Sequence, residues 1–190
     1  FALPYEIIGG PRFFERKEIK DILAYLKLAN SIQDDLSFER VINLPKRGIG
    51  DQSVKLIVDN AREKKISFFE SLVSLSEENK LPGSLILKTK TFIDIIKKTS
   101  DLINKTNLED IGIFIIEESG YLQMLENEKN KLKQIENESR IDNLKEFVNA
   151  LSEFDNLDDF LEHVGLVNEN QKKTYSNSVK LMTLHAAKGL

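Results

Sequence analysis

One short segment of this sequence combines two cations, two glycines and an aliphatic residue in an order that suits the binding of a phosphate group. It reads Leu44-Pro45-Lys46-Arg47-Gly48-Ile49-Gly50-Asp51 and lies between two segments with helical periodicity. Glycines on both sides of Ile49 let the backbone turn tightly, so that free amides and the positive end of the next helix can hold a phosphate oxygen. Lys46 and Arg47 would supply charge from the side. An ordinary turn between helices explains the spacing equally well, and the pattern alone does not decide.

Two further groups of residues are weaker candidates. Arg12 precedes the pair Phe13-Phe14, an order that would allow a base to stack on a ring while the arginine contacts a phosphate. Two adjacent phenylalanines are more often part of a core, and we favour that interpretation. Near the C-terminal end, His185 lies close to Thr183 and Lys188, where it would donate to a phosphate or serve as a structural polar group.

The remaining composition argues against catalysis. The sequence has no Cys and only two His, so we expect neither disulfides nor a metal site. It also lacks a G-x-x-x-x-G-K-S/T loop for nucleotide phosphates. Adjacent acidic residues have no nucleophile or base beside them and are interpreted as solvated surface: Asp34-Asp35, Glu77-Glu78, Glu117-Glu118 and Asp158-Asp159. The sequence therefore predicts a binding module without catalytic residues.

Charge and hydropathy limit the partners of the chain. A formal net charge of −4 argues against a protein that coats nucleic acid, although a local contact by a few cations remains compatible with it. No apolar run approaches the roughly 20 residues that span a bilayer. We expect a soluble, cytoplasmic protein that does not contact a membrane.

Hydrophobic spacing predicts a mainly α protein with a short strand near each end. Alternating residues mark strands near 4–10 and from Val179 onward. Between them, helices are expected at 15–30, 38–43, from an N-cap at Asp51, from a capping box of Ser67 with Glu70, after Leu81-Pro82-Gly83, and at 108–118, 121–127, 141–154 and 155–165. The polar tract 127–138 is either a solvated helix or a loop. The two ends are interpreted as strips of one α/β domain that carries the helical part as an insertion.

Three segments, in the same order along the chain, resemble UvrD/PcrA/Rep-type superfamily 1 DNA helicases. Residues 5–21, which begin Tyr-Glu-Ile-Ile-Gly-Gly-Pro-Arg, are similar to the segment that leads from domain 2A toward domain 2B. Residues 41–50, with Pro-Lys-Arg-Gly-Ile-Gly, resemble the helix-hairpin-helix turn by which domain 2B contacts duplex DNA. Residues 181–190, Leu-Met-Thr-Leu-His-Ala-Ala-Lys-Gly-Leu, resemble helicase motif V.

The resemblance implies an architecture and a set of DNA contacts. A helical domain 2B at 31–175 would be inserted between strips of a RecA-like domain 2A at 1–30 and 176–190. The duplex backbone would be contacted at the turn near 44–51 by Lys46, Arg47, Gly48, Ile49 and Gly50, with Arg12 as a further DNA-binding candidate. Single-stranded DNA would run past Thr183 and His185, which would form motif V together with Lys188 and Gly189.

The resemblance also implies a parent enzyme, which couples ATP hydrolysis with magnesium to 3′-to-5′ movement on DNA during replication and repair, alongside repair proteins. The last residues read as a strand that enters a polar turn, and the chain is therefore expected to be a piece of that parent. It lacks the parent's nucleotide-hydrolysing residues and is expected to have no cofactor and no activity alone. Its own role would be DNA binding and regulation; the alternative is a protein-interaction or autoinhibitory arm with little DNA binding.

Overall fold

The computed structural model describes residues 5–8, 13–170 and 179–182, with side chains placed from residue 13 to residue 168. Two short strands lie where the sequence alternates: β1 at Tyr5–Ile8 and β2 at Val179–Met182. They pair in parallel, with Tyr5 opposite Val179 and Ile8 opposite Met182. Parallel neighbours require a crossover connection, and the helical segment between them supplies it.

Helices make up nearly all of the described part between the strands. After a 3₁₀ turn at Phe13–Glu15 they are α1 Lys17–Asn30, α2 Asp35–Val41, α3 Asp51–Lys64, α4 Phe68–Glu77, α5 Gly83–Leu102, α6 Leu108–Glu118, α7 Tyr121–Glu126, α8 Lys131–Leu151 and α9 Leu157–Asn170. Their apolar faces meet in one continuous core, which includes the fully buried rings of Tyr25, Phe92 and Phe147. The prediction of a mainly helical chain is confirmed.

The predicted helix ends are partly correct. The capping box of α4 is confirmed, because Ser67 Oγ accepts from the Glu70 amide while the Glu70 carboxylate accepts from the Ser67 amide at 2.8 Å. Asp51 was expected to cap α3 but is its first helical residue, and Gly50 is the N-cap. The expected cap at Asp155 is also wrong, since the Asn156 side chain accepts from the third amide of α9 at 2.9 Å.

Helices α8 and α9 are longer than the sequence predicts. The expected end of α9 near Gly165 is wrong, because the helix continues to Asn170. The polar tract 127–138, whose sequence is compatible with a helix or a loop, is helical from Lys131, and the first turns of α8 are exposed there apart from Asn137. The Asn137 amide donates to the Leu125 carbonyl at 2.9 Å and so ties this polar stretch to α7.

Helix α1 lies at the centre of the helical segment and packs against α2, α5, α6 and α8. Ten of its 14 residues are buried, so α1 contributes to the helical core. Helical periodicity predicts that Asp21 lies on the solvent face of α1, opposite Ile19, Ile22 and Leu26, and this prediction is wrong. Asp21 is only 1% exposed, and it is held by hydrogen bonds from α2 and α7.

The packing of α6 against α8 depends on the missing side chain of Gly112. A Cβ at this position would lie 2.6 Å from Leu151 Cδ1, and Leu151 is fully buried. We predict that Gly112→Ala lowers the free energy of unfolding by about 1 kcal/mol net, because overpacking costs ~1–3 kcal/mol and exceeds the ~1 kcal/mol gain in helix propensity. Urea unfolding measures this change.

Gly165 provides the matched control for that substitution. It also lies within a helix, but a Cβ there would have no atom within 4 Å. Gly165→Ala should therefore stabilise the chain by about 0.5–1 kcal/mol. Equal and stabilising effects at both glycines would contradict the proposed close contact between α6 and α8.

Candidate nucleic-acid interface

The turn between α2 and α3 presents its residues alternately to solvent and to the core. Lys46, Gly48 and Gly50 are exposed, whereas Arg47 is 8% exposed and Ile49 is 2% exposed. Gly48 has a φ of +76°, a conformation that residues with a Cβ rarely adopt, so glycine is required there. Ile49 therefore fills the space between the two helices, and the backbone of the two glycines lies on the surface.

A single side chain organises the inward half of this turn. Asn43 Oδ1 accepts from the Arg47 amide at 2.7 Å and from the Ile49 amide at 3.3 Å. The amides of Gly48 and Gly50 have no acceptor among the residues that the structure describes. Amides without an acceptor on exposed residues beside the first turn of α3 are what an anion requires from a backbone site. Sequence reasoning missed Asn43, although Asn commonly bonds the backbone in turns.

Arg47 does not lie where the sequence analysis placed it. Its Nη1 donates to the Val41 carbonyl at 2.9 Å, and its Nη2 donates to the Tyr25 hydroxyl at 2.7 Å. The guanidinium carbon also lies 5.0 Å from the centre of the Phe92 ring, within the range of a cation–π contact. The expected charge supplied from the side is therefore corrected: this cation is directed inward, where it joins the turn to α1 and α5.

A different cation, Lys88 of α5, stands beside the exposed turn. Its Nζ lies 3.7 Å from the position that a Cβ on Gly48 would occupy, and Leu85 packs against the same glycine. Lys88 is exposed, like Lys46, and neither forms an ion pair with an acid in the described part of the chain. The sequence analysis missed Lys88 because forty residues separate it from Gly48.

Lys80 lies near the start of α3, and its ammonium forms an ion pair within the chain. It lines an open groove together with Gln52 and Ser53, and its Nζ lies 2.6 Å from the Glu78 carboxylate. Lys64 lies 2.7 Å from the same carboxylate. The hydrogen bonds from Lys64 and then Lys80 lower the pKa of Glu78 to about 2, so Glu78 is an anion under ordinary conditions. Lys46 and Lys88 differ from Lys80 in having no ion-pair partner among the residues that the structure describes.

Five other candidates from the sequence analysis lie outside the residues that the structure describes: Arg12, Thr183, His185, Lys188 and Gly189. The aromatic pair packs as a core element: Phe13 and Phe14 lie against the hydrophobic cluster, and the Phe14 ring meets Phe160 edge-on at 6.1 Å.

The described part of the chain contains no group of three or more His, Cys, Asp or Glu side chains arranged to hold a metal ion. None of its helices combines the length and apolar character that crossing a bilayer would require.

The sequence of the chain is similar to one protein family and to several known proteins. Residues 2–190 match the model of the UvrD-like helicase C-terminal domain. The chain is 39% identical to a probable DNA helicase II homolog from Rickettsia conorii, and the alignment covers 100% of the chain and 29% of that protein. It is 40% identical to DNA helicase II of Haemophilus influenzae, over 99% of the chain and 27% of the relative. With the ATP-dependent DNA helicase PcrA of Staphylococcus epidermidis it shares 35% identity, over 99% and 26%. The chain thus spans less than a third of the length of these relatives.

Proposed function

Because this chain belongs to the family of UvrD-like helicase C-terminal domains, we propose that it is the part of an ATP-dependent DNA helicase that contacts the backbone of duplex DNA through the turn at 44–51. The observation that carries the proposal is the pair of exposed glycines, whose amides have no acceptor among the described residues, beside Lys46, which has no ion-pair partner there. Amides and lysines contact phosphates without reading bases, so the contact would be independent of sequence.

The proposal extends to the longer protein. Relatives of this chain are named as DNA helicases, one of them as ATP-dependent. We propose that the parent moves 3′ to 5′ on single-stranded DNA in repair and replication, and that its ATP and magnesium are held by residues outside this chain. In this view β1 and β2 are strips of a RecA-like domain 2A, the helical body is domain 2B with a helix-hairpin-helix turn, and residues from Thr183 onward form motif V along the single strand.

Within this proposal the roles of the turn residues differ from one another. Lys46 and the amides of Gly48 and Gly50 would face the phosphates, because they are exposed and lack acceptors in the described residues. Arg47 and Ile49 would shape the turn from inside, since both are buried. Regulation by the helical body would act through this same contact with duplex DNA.

Lys46→Ala tests the proposal. We expect the slope of log affinity for a duplex against log salt to become less steep by about 0.9, since one phosphate contact is lost. Between 50 and 200 mM salt the fall in affinity should shrink by about 3.5-fold, which is that slope difference applied to a fourfold change in salt. Fluorescence anisotropy with a labelled duplex measures it, and Lys105→Ala, exposed beyond the other end of α5, is the control.

A second candidate function rests on a different surface. Leu132 is 80% exposed and Ile135 is 67% exposed, three residues apart on the solvated first turns of α8. Such side chains suit a protein-interaction or autoinhibitory arm with little DNA binding of its own. A salt slope that Lys46→Ala leaves unchanged would favour this arm over the duplex-binding function.

A further inference from the structure

We propose that Lys88 is a second phosphate-contacting residue of the turn, contributed by α5. The inference rests on the proposed duplex contact and deepens it, because it adds a helix that lies outside the glycine-containing segment. The site would then consist of Lys46 from the turn, the amides of the exposed Gly48 and Gly50, and Lys88 beside them.

The placement of Lys88 follows from the spacing of residues on α5. Leu85, Lys88 and Phe92 are three and four residues apart, so they form one stripe along the helix. The residues at the two ends of this stripe contact the turn. Leu85 Cδ2 lies 3.9 Å from the position that a Cβ on Gly48 would occupy, and the Phe92 ring packs against the Arg47 guanidinium. The residue between them therefore stands at the edge of the turn.

The rotation of α5 about its axis is fixed by burial. Phe92 is fully buried, and Leu85 and Thr89 are 7% and 1% exposed. The Thr89 hydroxyl donates to the Leu85 carbonyl at 2.9 Å, so this buried polar group is satisfied within the helix. Because α5 cannot rotate without exposing Phe92, Lys88 is held next to Gly48 while its own side chain stays in water.

The charge on Lys88 is available for a ligand. Its ammonium has no acidic partner among the described residues, unlike that of Lys80, which Glu78 neutralises. A lysine ammonium is a compact, strongly hydrated charge on a flexible stem, which suits contact with phosphate oxygens whose exact position varies. Gly48 itself has no side chain that would separate the ammonium from the backbone of the turn.

Substitution of Lys88 and of Lys90 in the 190-residue chain tests the inference. Lys90 is exposed on the same helix, but two residues further on it faces away from the stripe. We expect Lys88→Gln to reduce the salt slope for a labelled 20-base-pair duplex by about 0.9 and Lys90→Gln to leave it unchanged. Lys88→Arg should retain the wild-type slope, because the charge is kept.

The outcomes separate this inference from the proposed function. If wild type binds duplex and Lys46→Ala flattens the slope while Lys88→Gln does not, Lys88 is only a solvated lysine and the inference is overturned alone. Equal flattening by Lys88→Gln and Lys90→Gln would overturn it too, since general charge would then explain the effect. Failure of the wild-type chain to bind duplex at 50 mM salt would overturn both statements.

Discussion

Replacing Arg47 by Ala should lower the free energy of unfolding by about 3 kcal/mol, whereas Lys46→Ala at the neighbouring position should change it by less than about 0.5 kcal/mol. Both residues are cations in the same turn, and they differ in whether the side chain is buried. Arg47 is 8% exposed and Lys46 is exposed. Urea unfolding followed by circular dichroism measures both changes under identical conditions.

The large effect at Arg47 has three physical sources. Its Nη1 donates to the carbonyls of Val41 and Ile42, which lie at the C-terminal end of α2, where carbonyls lack helical partners and a cation is favoured. Its Nη2 donates to the buried hydroxyl of Tyr25, which itself donates to the Leu44 carbonyl. Its stem and planar head also fill the space above Phe92, so removal would leave a cavity and would take away the donor to the Ile42 carbonyl.

Arg47→Met separates these contributions. Methionine restores most of the volume but none of the hydrogen bonds, so its stability should lie between those of Arg47→Ala and wild type. The duplex contact should weaken in Arg47→Ala as well, because the turn would lose its link to α1 and α5. An unfolding free energy for Arg47→Ala within 0.5 kcal/mol of wild type would show that the guanidinium is not a structural cation.

The sequence could predict those parts of the site that depend on local chemistry. The glycine at position 48 is required by a backbone φ of +76°, and the sequence analysis identified the turn from that glycine and its neighbours. The capping box at Ser67 and Glu70 was predictable for the same reason, since its two hydrogen bonds join residues three apart. Such features are encoded within one turn of the chain.

The direction of a charged side chain was not predictable in this way. Arg47 faces inward because Tyr25 and Phe92, which are 22 and 45 residues away, supply an acceptor and an aromatic face. Lys88 comes next to Gly48 only after α5 has packed against the turn. Helical periodicity placed Asp21 on the solvent face of α1 because of its charge, yet α1 is enclosed by helices on several sides.

Asp21 is the second position at which we expect a large effect. Asp21→Asn should lower the free energy of unfolding by about 2–3 kcal/mol. Asp21 Oδ2 accepts from the Tyr121 hydroxyl at 2.7 Å, and Oδ1 accepts from Arg40 Nε at 2.8 Å. Asparagine has only one acceptor oxygen, so either the phenol or the guanidinium would face an amide donor in a site that is 1% exposed. Asp142→Asn, at an exposed pair with Lys145, is the matched control and should change stability by less than about 0.5 kcal/mol.

The same substitution should be visible in the titration of Tyr121. Burial, followed by the charge of Asp21, raises the pKa of this phenol above its ordinary value of 10.0. The stability that comes from the raised pKa is complete below pH 10 and is lost as the pH rises through the folded-state value. Asp21→Asn removes the charge and should bring the pKa of Tyr121 down, measured by ultraviolet absorbance of the phenolate. An unchanged phenol titration together with an unchanged urea midpoint would mean that Asp21 is not the residue that joins α1 to α7.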